Sequence, residues 1–136
     1  MLISLEKLNA SGCRRLRSIP GLGHLKKLKK LCVYGCVRLE ELPNLEMLIS
    51  LEKLNASGCQ RLRSIPGLEQ LKKLRRLDVD GCHEMLELSG AKHLMLLKRL
   101  YAYDCPKLRW GEGELEHLRQ RLKAGLLLQE EVLDLW

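Results

Sequence analysis

Five cysteines recur at one fixed interval, and this interval limits the possible folds more than any other feature of the sequence. They are Cys13, Cys36, Cys59, Cys82 and Cys105. Leucines keep the same phase around each of them, so every unit contains LxxLxAxGC or a near variant. Self-similarity at a period of about 20 to 50 residues is typical of repeat architectures. We therefore interpret residues 2–110 as five 23-residue repeats.

Each repeat combines two hydrophobic periods. Leu31 and Val33 alternate with polar residues, which predicts a short strand whose alternate side chains point inward. Other leucines, such as Leu22 and Leu25, follow at a step of three, which suits a short 3₁₀ turn better than a long amphipathic helix. A Pro-Gly pair at 20–21 favours the start of such a turn. A helical bundle is the alternative fold.

The motif LxxLxVxGCxxLxxLPxL at residues 28–45, repeated in phase over 2–108, resembles the leucine-rich repeat. It is similar to the 23-residue type in the ligand-sensing part of plant intracellular nucleotide-binding immune receptors, the disease resistance proteins. The resemblance implies an α/β fold, a right-handed horseshoe-shaped solenoid. Short parallel strands would form its concave sheet, and short helical or 3₁₀ turns its convex side. It also implies an inward Cys or Asn that serves the backbone of the turn.

The period fails after Cys105. Residues 114–124 predict a helix with Leu115, Leu118 and Leu122 on one face, ended by Gly125. A solenoid must cover the exposed core at its end, so we interpret residues 111–136 as a C-terminal helical cap. On this interpretation residues 1–136 form a single domain.

The start of the chain repeats a later block. Residues 1–22 match residues 47–68 at every position except one, where Arg14 corresponds to Gln60. This near-identity indicates a recent duplication or a piece of a longer array. We expect Leu2, Ile3, Leu5 and Leu8 to form an uncapped end of the core. An open strand edge and apolar end invite another chain, so we expect some self-association, a homodimer through the N-terminal repeat.

The composition indicates whether the protein is soluble and in which compartment it belongs. Leucine contributes 34 of 136 residues, and no apolar run reaches the roughly 20 residues that span a bilayer. The first residues do not have the order of a secretory signal, and six cysteines suit a reducing compartment. We expect a soluble protein of the cytoplasm, with the nucleus as the alternative. The net charge is +7, and residues 1–108 hold 20 Lys/Arg against 11 Asp/Glu.

The repeated cysteines have two interpretations. Identical positions in stacked strands lie about 4.8 Å apart with parallel side chains, which is a poor arrangement for disulfides. We expect five buried free thiols rather than a metal or redox ladder, and only Cys32, at an outward position, to be partly exposed. The four histidines have no motif around them, and no nucleophile arrangement can be drawn. We expect no enzyme, no metal and no cofactor.

The outward strand positions form the one patterned surface. A basic column, Lys7, Lys30, Lys53, Arg76 and Arg99, lies beside columns that turn acidic and aromatic toward the C-terminus. Exposed aromatic residues next to arginine are enriched in binding hot spots. We predict a protein partner on the concave face, contacted by Lys30, Tyr34, Lys53, Asn55, Arg76, Asp78, Asp80, Arg99, Tyr101, Tyr103 and Asp104.

Three other interpretations of this surface stay open. A solvated sheet face also needs polar residues. A nucleic-acid or polyanion binder would use the basic surface, although lysines such as Lys26 and Lys72 spread positive charge onto the other side. A structural or engineered repeat scaffold without a dedicated ligand would account for the near-identical blocks.

Overall fold

A parallel sheet of six short strands, arranged in chain order, organises the molecule. The computed structural model describes residues 4–128. Its strands are β1 Lys7–Asn9, β2 Lys30–Cys32, β3 Lys53–Asn55, β4 Arg76–Asp78, β5 Arg99–Ala102 and β6 Leu126–Leu128. One α-helix, α1, spans Glu114–Leu122. An open sheet whose first five strands keep the interval of the sequence repeat confirms the leucine-rich-repeat solenoid, and the helical bundle is wrong.

Inward leucines are stacked by the strand register. Leu8, Leu31, Leu54, Leu77 and Leu100 pair in sequence across β1 to β5. The last four are buried, together with most of the leucines that follow them, although Leu86 and Leu96 are exposed. Each buried leucine side chain contributes about 1.5–3 kcal/mol relative to an exposed one. The core is therefore a continuous column of aliphatic side chains that every coil shares with its neighbours.

A glycine precedes each 3₁₀ turn between the repeats. These turns span Leu22–His24, Leu68–Gln70 and Ala91–His93, and the glycine before each has φ of 83°, 83° and 84°. Each repeat forms one coil of the solenoid, and we number the coils in chain order. Coil four has Ser89 in place of proline yet keeps its 3₁₀ turn, whereas coil two has Asn44 in place of glycine and no 3₁₀ turn. The left-handed backbone that glycine adopts freely, rather than proline, therefore accompanies the turn.

Four of the repeated cysteines form a ladder of thiol hydrogen bonds. Cys36 Sγ donates to Ala10 O at 3.1 Å, and Cys59 Sγ donates to Val33 O at 3.1 Å. Cys82 and Cys105 donate in the same way to carbonyls of the coil before them. Burial raises the pKa of Cys59 to about 12 and that of Cys105 to about 11. These four thiols satisfy backbone carbonyls of the preceding coil.

Cys13 is a correction to the prediction of five buried thiols. It is exposed, although it holds the same repeat position as the other four. The physical reason is that a ladder cysteine is buried against the coil before it, and the described residues contain no coil before the first. Cys32 is partly exposed, as expected, so two thiols rather than one face solvent.

We expect thiol labelling of the native protein to modify Cys13 and Cys32 quickly, and the other four only after unfolding. Burial and a raised pKa both suppress the thiolate, which is the reactive form. A thiol reagent followed by mass spectrometry of the peptides measures this directly. Rapid native labelling of Cys59 or Cys82 would contradict the ladder.

The C-terminal cap contains a strand that the sequence did not predict. Helix α1 buries Leu118 and Leu122, while Leu115 is half-buried. It is followed by a 3₁₀ turn, Lys123–Gly125, and then by β6, which pairs in parallel with β5. Leu126 lies opposite Leu100, a longer step than the repeat interval, because a helix replaces the usual turn. The predicted helical cap thus also extends the sheet, and residues 129–136 lie outside the described part.

Arginine side-chain bonds tie α1 to the preceding coil. Arg121 donates from Nη1 to Lys92 O at 2.9 Å and from Nη2 to Leu94 O at 2.6 Å. Leu118, one turn earlier in the helix, is fully buried. The helix therefore covers part of the last repeat through both apolar and polar contacts.

Leu118→Ala should lower the free energy of unfolding by about 2–5 kcal/mol, because it leaves a cavity under α1. Chemical denaturation followed by circular dichroism measures this loss. Gln120→Ala is the matched control, since Gln120 is exposed on the same helix. Equal effects of the two substitutions would show that α1 does not pack as described.

The N-terminal end of the core is only partly described. Leu5 and Leu8 are half-buried and pack against the core. Leu2 and Ile3, which were also expected at this open end, lie outside the described residues. Self-association through this repeat stays a prediction. In residues 4–128, no helix is both long and apolar enough to cross a membrane.

Candidate protein-binding face of the sheet

The register aligns the outward side chains in columns. Lys7, Lys30, Lys53, Arg76 and Arg99 face one another in sequence across β1 to β5. All are exposed except Arg76, which is half-buried. Like charges directly opposite in a sheet are unfavourable by a few tenths of a kcal/mol each. Packing within this chain therefore does not account for the uniform basic column.

Three predicted site residues form one cluster at β4 and β5. Arg76 donates from Nε to Asp78 Oδ1 at 2.9 Å and from Nη2 to Asp78 Oδ2 at 3.0 Å. The Arg76 guanidinium carbon also lies 5.0 Å from the centre of the Tyr101 ring. The hydrogen bond to Asp78 raises the pKa of the guanidinium. Because Asp78 is only 6% exposed, this bidentate pair fixes the arginine over the tyrosine ring.

Asp80 joins the next coil to this cluster. Its Oδ1 accepts the backbone N–H of Tyr103 at 2.7 Å, and its own N–H donates to Ser57 Oγ at 3.2 Å. Burial raises the pKa of the Asp80 carboxyl. The hydrogen bond from the Tyr103 N–H lowers this pKa, the negative charge of Asp78 raises it, and the positive charge of Arg76 lowers it. Asp80 thus supports the backbone that presents Tyr103, rather than standing free for a ligand.

Asp104 has a conformational role as well as a polar one. It occupies the position where the other four repeats have glycine, and its φ is 56°, in the same left-handed region. Its Oδ2 lies 3.0 Å from Nε2 of His83 in the preceding coil. Aspartate tolerates this conformation better than most residues. Asp104 is exposed, so it lies at the margin of the cluster.

The predicted residues of the earlier coils do not join the cluster. Lys30 and Lys53 are exposed, and Tyr34 is 55% exposed. Asn55 is half-buried, and its Oδ1 accepts the N–H of Ser57 at 3.0 Å. Asn55 therefore shapes its own turn. Arg99 is exposed and makes no ion pair in the part of the chain that the structure describes.

Sequence reasoning missed two contributors to this face. Leu127 on β6 lies opposite Tyr101 and is 51% exposed, so it extends the face by one apolar side chain. His83 contacts Asp104 of the following coil. The run of three leucines at 126–128 was a usable strand signal. No sequence signal pointed to His83, because its partner is distant in the sequence and comes close only through stacking of the coils.

Asp80→Asn gives a test with a defined sign. Because its pKa is raised in the folded state, the Asp80 carboxyl stabilises the fold at pH values below 3.8, its usual pKa. This contribution is lost as the pH rises through the folded pKa. Asparagine does not ionise and still offers an oxygen to Tyr103 N–H. We expect the melting temperature of the variant, relative to the wild type, to be higher at pH 7 than at pH 3. The reverse order would contradict this.

Comparisons with known proteins find leucine-rich repeat proteins among solved structures of low similarity. No protein-family model matches this sequence, and no curated protein matches it. A leucine-rich repeat protein of Leptospira interrogans is 23% identical to this chain, with a TM-score of 0.47. The match covers 83% of this chain and 36% of the Leptospira chain. A leucine-rich repeat protein from T. pallidum is 13% identical, with a TM-score of 0.36, and the match covers 93% of this chain and 81% of the T. pallidum chain.

The class of this protein therefore rests on its own geometry. The 23-residue strand interval, the parallel register and the thiol ladder define a leucine-rich-repeat solenoid. The chain spans about a third of the length of the Leptospira protein. Neither of these two structures comes from a plant.

Proposed function

We propose that this leucine-rich-repeat array is a non-enzymatic protein-recognition module. Its contact surface is the solvent-facing side of β4 and β5, centred on Arg76, Asp78, Tyr101 and Tyr103. The observation that carries the proposal is the Arg76 guanidinium, held at 2.9 and 3.0 Å by a buried aspartate and lying over the ring of Tyr101. Preorganised side chains of these types lose little conformational freedom on binding.

The position of this cluster supports the proposal further. Coils one and three carry the same Lys, Asn, Ser and Gly at the corresponding positions, so they offer a duplicated surface. Coils four and five present both signs of charge and two aromatic rings within about 10 Å, or two strand spacings. Arginine and tyrosine are among the residues that dominate binding energy at protein interfaces.

The finer part of the proposal is the kind of receptor. The 23-residue motif resembles the ligand-sensing array of plant intracellular immune receptors, so we propose a comparable sensing role in the cytoplasm. A partner would then be a protein rather than a small molecule. The free thiols of the ladder support a reducing compartment.

Tyr103→Ala should weaken partner binding by about 2 kcal/mol, the loss typical of a hot-spot residue. Tyr34→Ala is a closely matched control, because Tyr34 is 55% and Tyr103 56% exposed at equivalent positions. The partner is first captured from the source cell, and its affinity for each purified variant is then measured by calorimetry. Equal losses from both tyrosines, or losses only from Lys26→Ala and Lys72→Ala, would refute the proposed face.

A polyanion is the second candidate ligand, because four of the five cations in the basic column make no ion pair within residues 4–128. Neutralising phosphates releases counterions, so affinity for any nucleic acid would fall steeply with salt. A titration with DNA of several sequences at two salt concentrations distinguishes the candidates. Tight, sequence-independent and salt-sensitive binding would favour the polyanion.

Self-association is also proposed, through the edge of β1. Sedimentation should detect a dimer that Leu8→Asp weakens, because a charge in an apolar contact is costly. Lys7→Glu, on the exposed side of the same strand, is the control. A monomer at high protein concentration would refute the dimer. A scaffold without a ligand would show neither partner nor polyanion binding.

A further inference from the structure

Four equivalent backbone turns lead into strands β2 to β5 and lie side by side along one edge of the solenoid. In the first of them the N–H of Leu28 donates to the carbonyl of Leu25 at 3.0 Å. The same bond, again at 3.0 Å, closes the turns around residues 49–50, 72–73 and 95–96. The two central residues of each turn, which we call its tip, therefore occupy equivalent places in successive coils.

The chemistry of the tips alternates from coil to coil, although the backbone turn does not change. The tips at 26–27 and 72–73 are pairs of exposed lysines, the basic tips. Between and after them come the apolar tip residues: Ile49 is 60%, Met95 71% and Leu96 47% exposed. Turn positions are usually filled by small or polar residues. Because exposed apolar side chains add nothing to the core, packing within the coils does not account for them.

The basic tips are not neutralised within the chain. In residues 4–128, none of their four lysines forms an ion pair. Charged residues within three positions of the tips are also mainly basic: Lys29, Arg75, Lys92 and Lys98 against Glu46, Glu52 and Glu69. This edge therefore combines free positive charge with exposed aliphatic side chains.

The composition of the edge discriminates among the large partners that it could contact. Protein interfaces are enriched in aromatic residues and depleted in lysine, and no tip residue is aromatic. A nucleic acid would use the lysines through its phosphates, but the phosphate backbone offers no apolar surface to Ile49 or Met95. An anionic lipid surface uses both kinds of tip, since it attracts lysines to its headgroups and takes aliphatic side chains into the acyl boundary.

The spacing of the tips suits such a surface. At strand spacing Ile49 and Met95 lie about 10 Å apart, with the basic tip at 72–73 between them. A lysine keeps its ammonium at the level of the headgroups while its alkyl stem lies along apolar surface. Basic and apolar tips in one row can therefore contact the headgroups and the acyl boundary at the same time.

We propose that this edge of the solenoid docks on an anionic lipid surface. The apolar tip residues enter the boundary between headgroups and acyl chains, and the basic tips pair with the negative headgroups. This contact is peripheral and needs no membrane-spanning segment. The cytoplasmic leaflet carries the anionic lipids, which agrees with the compartment proposed above. The edge shares no residue with the proposed contact surface on β4 and β5, so the two proposals are independent.

Flotation of the purified chain with lipid vesicles tests the proposal directly. Vesicles of equal parts phosphatidylcholine and phosphatidylserine should carry the chain with them. Vesicles of phosphatidylcholine alone should bind it about tenfold more weakly or less, because they lack the negative surface potential that attracts lysines. Circular dichroism of every variant confirms that it is folded.

The apolar tips are tested by Leu96→Ser, which should weaken binding to the phosphatidylserine vesicles about threefold or more, because it removes apolar area from the contact. Leu86→Ser is a closely matched control. Leu86 is 49% exposed against 47% for Leu96, and it lies outside the four turns. The control should bind the vesicles as the wild type does.

The basic tips are tested by Lys72→Ser, which should weaken binding about fivefold, the loss expected for one lysine near an anionic surface. Lys7→Ser removes the same charge from the exposed side of β1 and should change binding little. Equal losses from these two variants would show that the charge of the whole chain, rather than this edge, attracts the vesicles, and would overturn the proposal.

Two further outcomes would also overturn it. One is no binding to the phosphatidylserine vesicles, and the other is an equal effect of Leu86→Ser and Leu96→Ser. A parallel titration with duplex DNA identifies the competing ligand: DNA binding that Lys72→Ser weakens, without vesicle binding, would assign the edge to nucleic acid. None of these measurements involves the protein partner, so a negative result here leaves the proposed function of the sheet face unchanged.

Discussion

The structure depends on hydrogen bonding and packing between neighbouring coils. Just past the ends of β2 and β3, Val33 N donates to Asn55 O at 2.8 Å, and Ala56 N donates to Asp78 O at 2.8 Å. The thiol of each ladder cysteine adds a bond to the preceding coil, and the leucines fill the space between coils. Stability is then approximately a sum of repeat and nearest-neighbour terms. The exposure of Cys13 follows from the same dependence.

The stacking also determines where chemical variety is tolerated. Inward positions are limited to side chains that fit the shared core, whereas outward positions on the strands bear no such limit. In coils four and five, Arg76, Asp78 and Tyr101 use this freedom to form contacts across two strands. The contact of Arg76 with Tyr101 joins residues of different repeats, which become neighbours only through the solenoid. The proposed binding face is thus a product of divergence between repeats on a constant scaffold.

The repeat period is broken where helix α1 begins. Helix α1 is longer than the turn it replaces, so β6 joins the sheet out of step with the repeat interval. Glu114, at the first turn of that helix, is buried without a partner for one oxygen. Repeated coils satisfy their polar groups by translation of the same bonds, and an irregular coil has no such guarantee.

The sequence by itself determined the features that repeat. Strand positions, the inward leucines, the thiol ladder and the basic column all follow from one 23-residue interval, because a fixed translation places equivalent residues in equivalent surroundings. Only the tertiary structure decided what lies at the ends and between unlike coils: the exposure of Cys13, strand β6, the bidentate bond of Arg76 to Asp78, and the unsatisfied oxygen of Glu114. These depend on which neighbour is present and on side-chain geometry, and neither is periodic in the sequence.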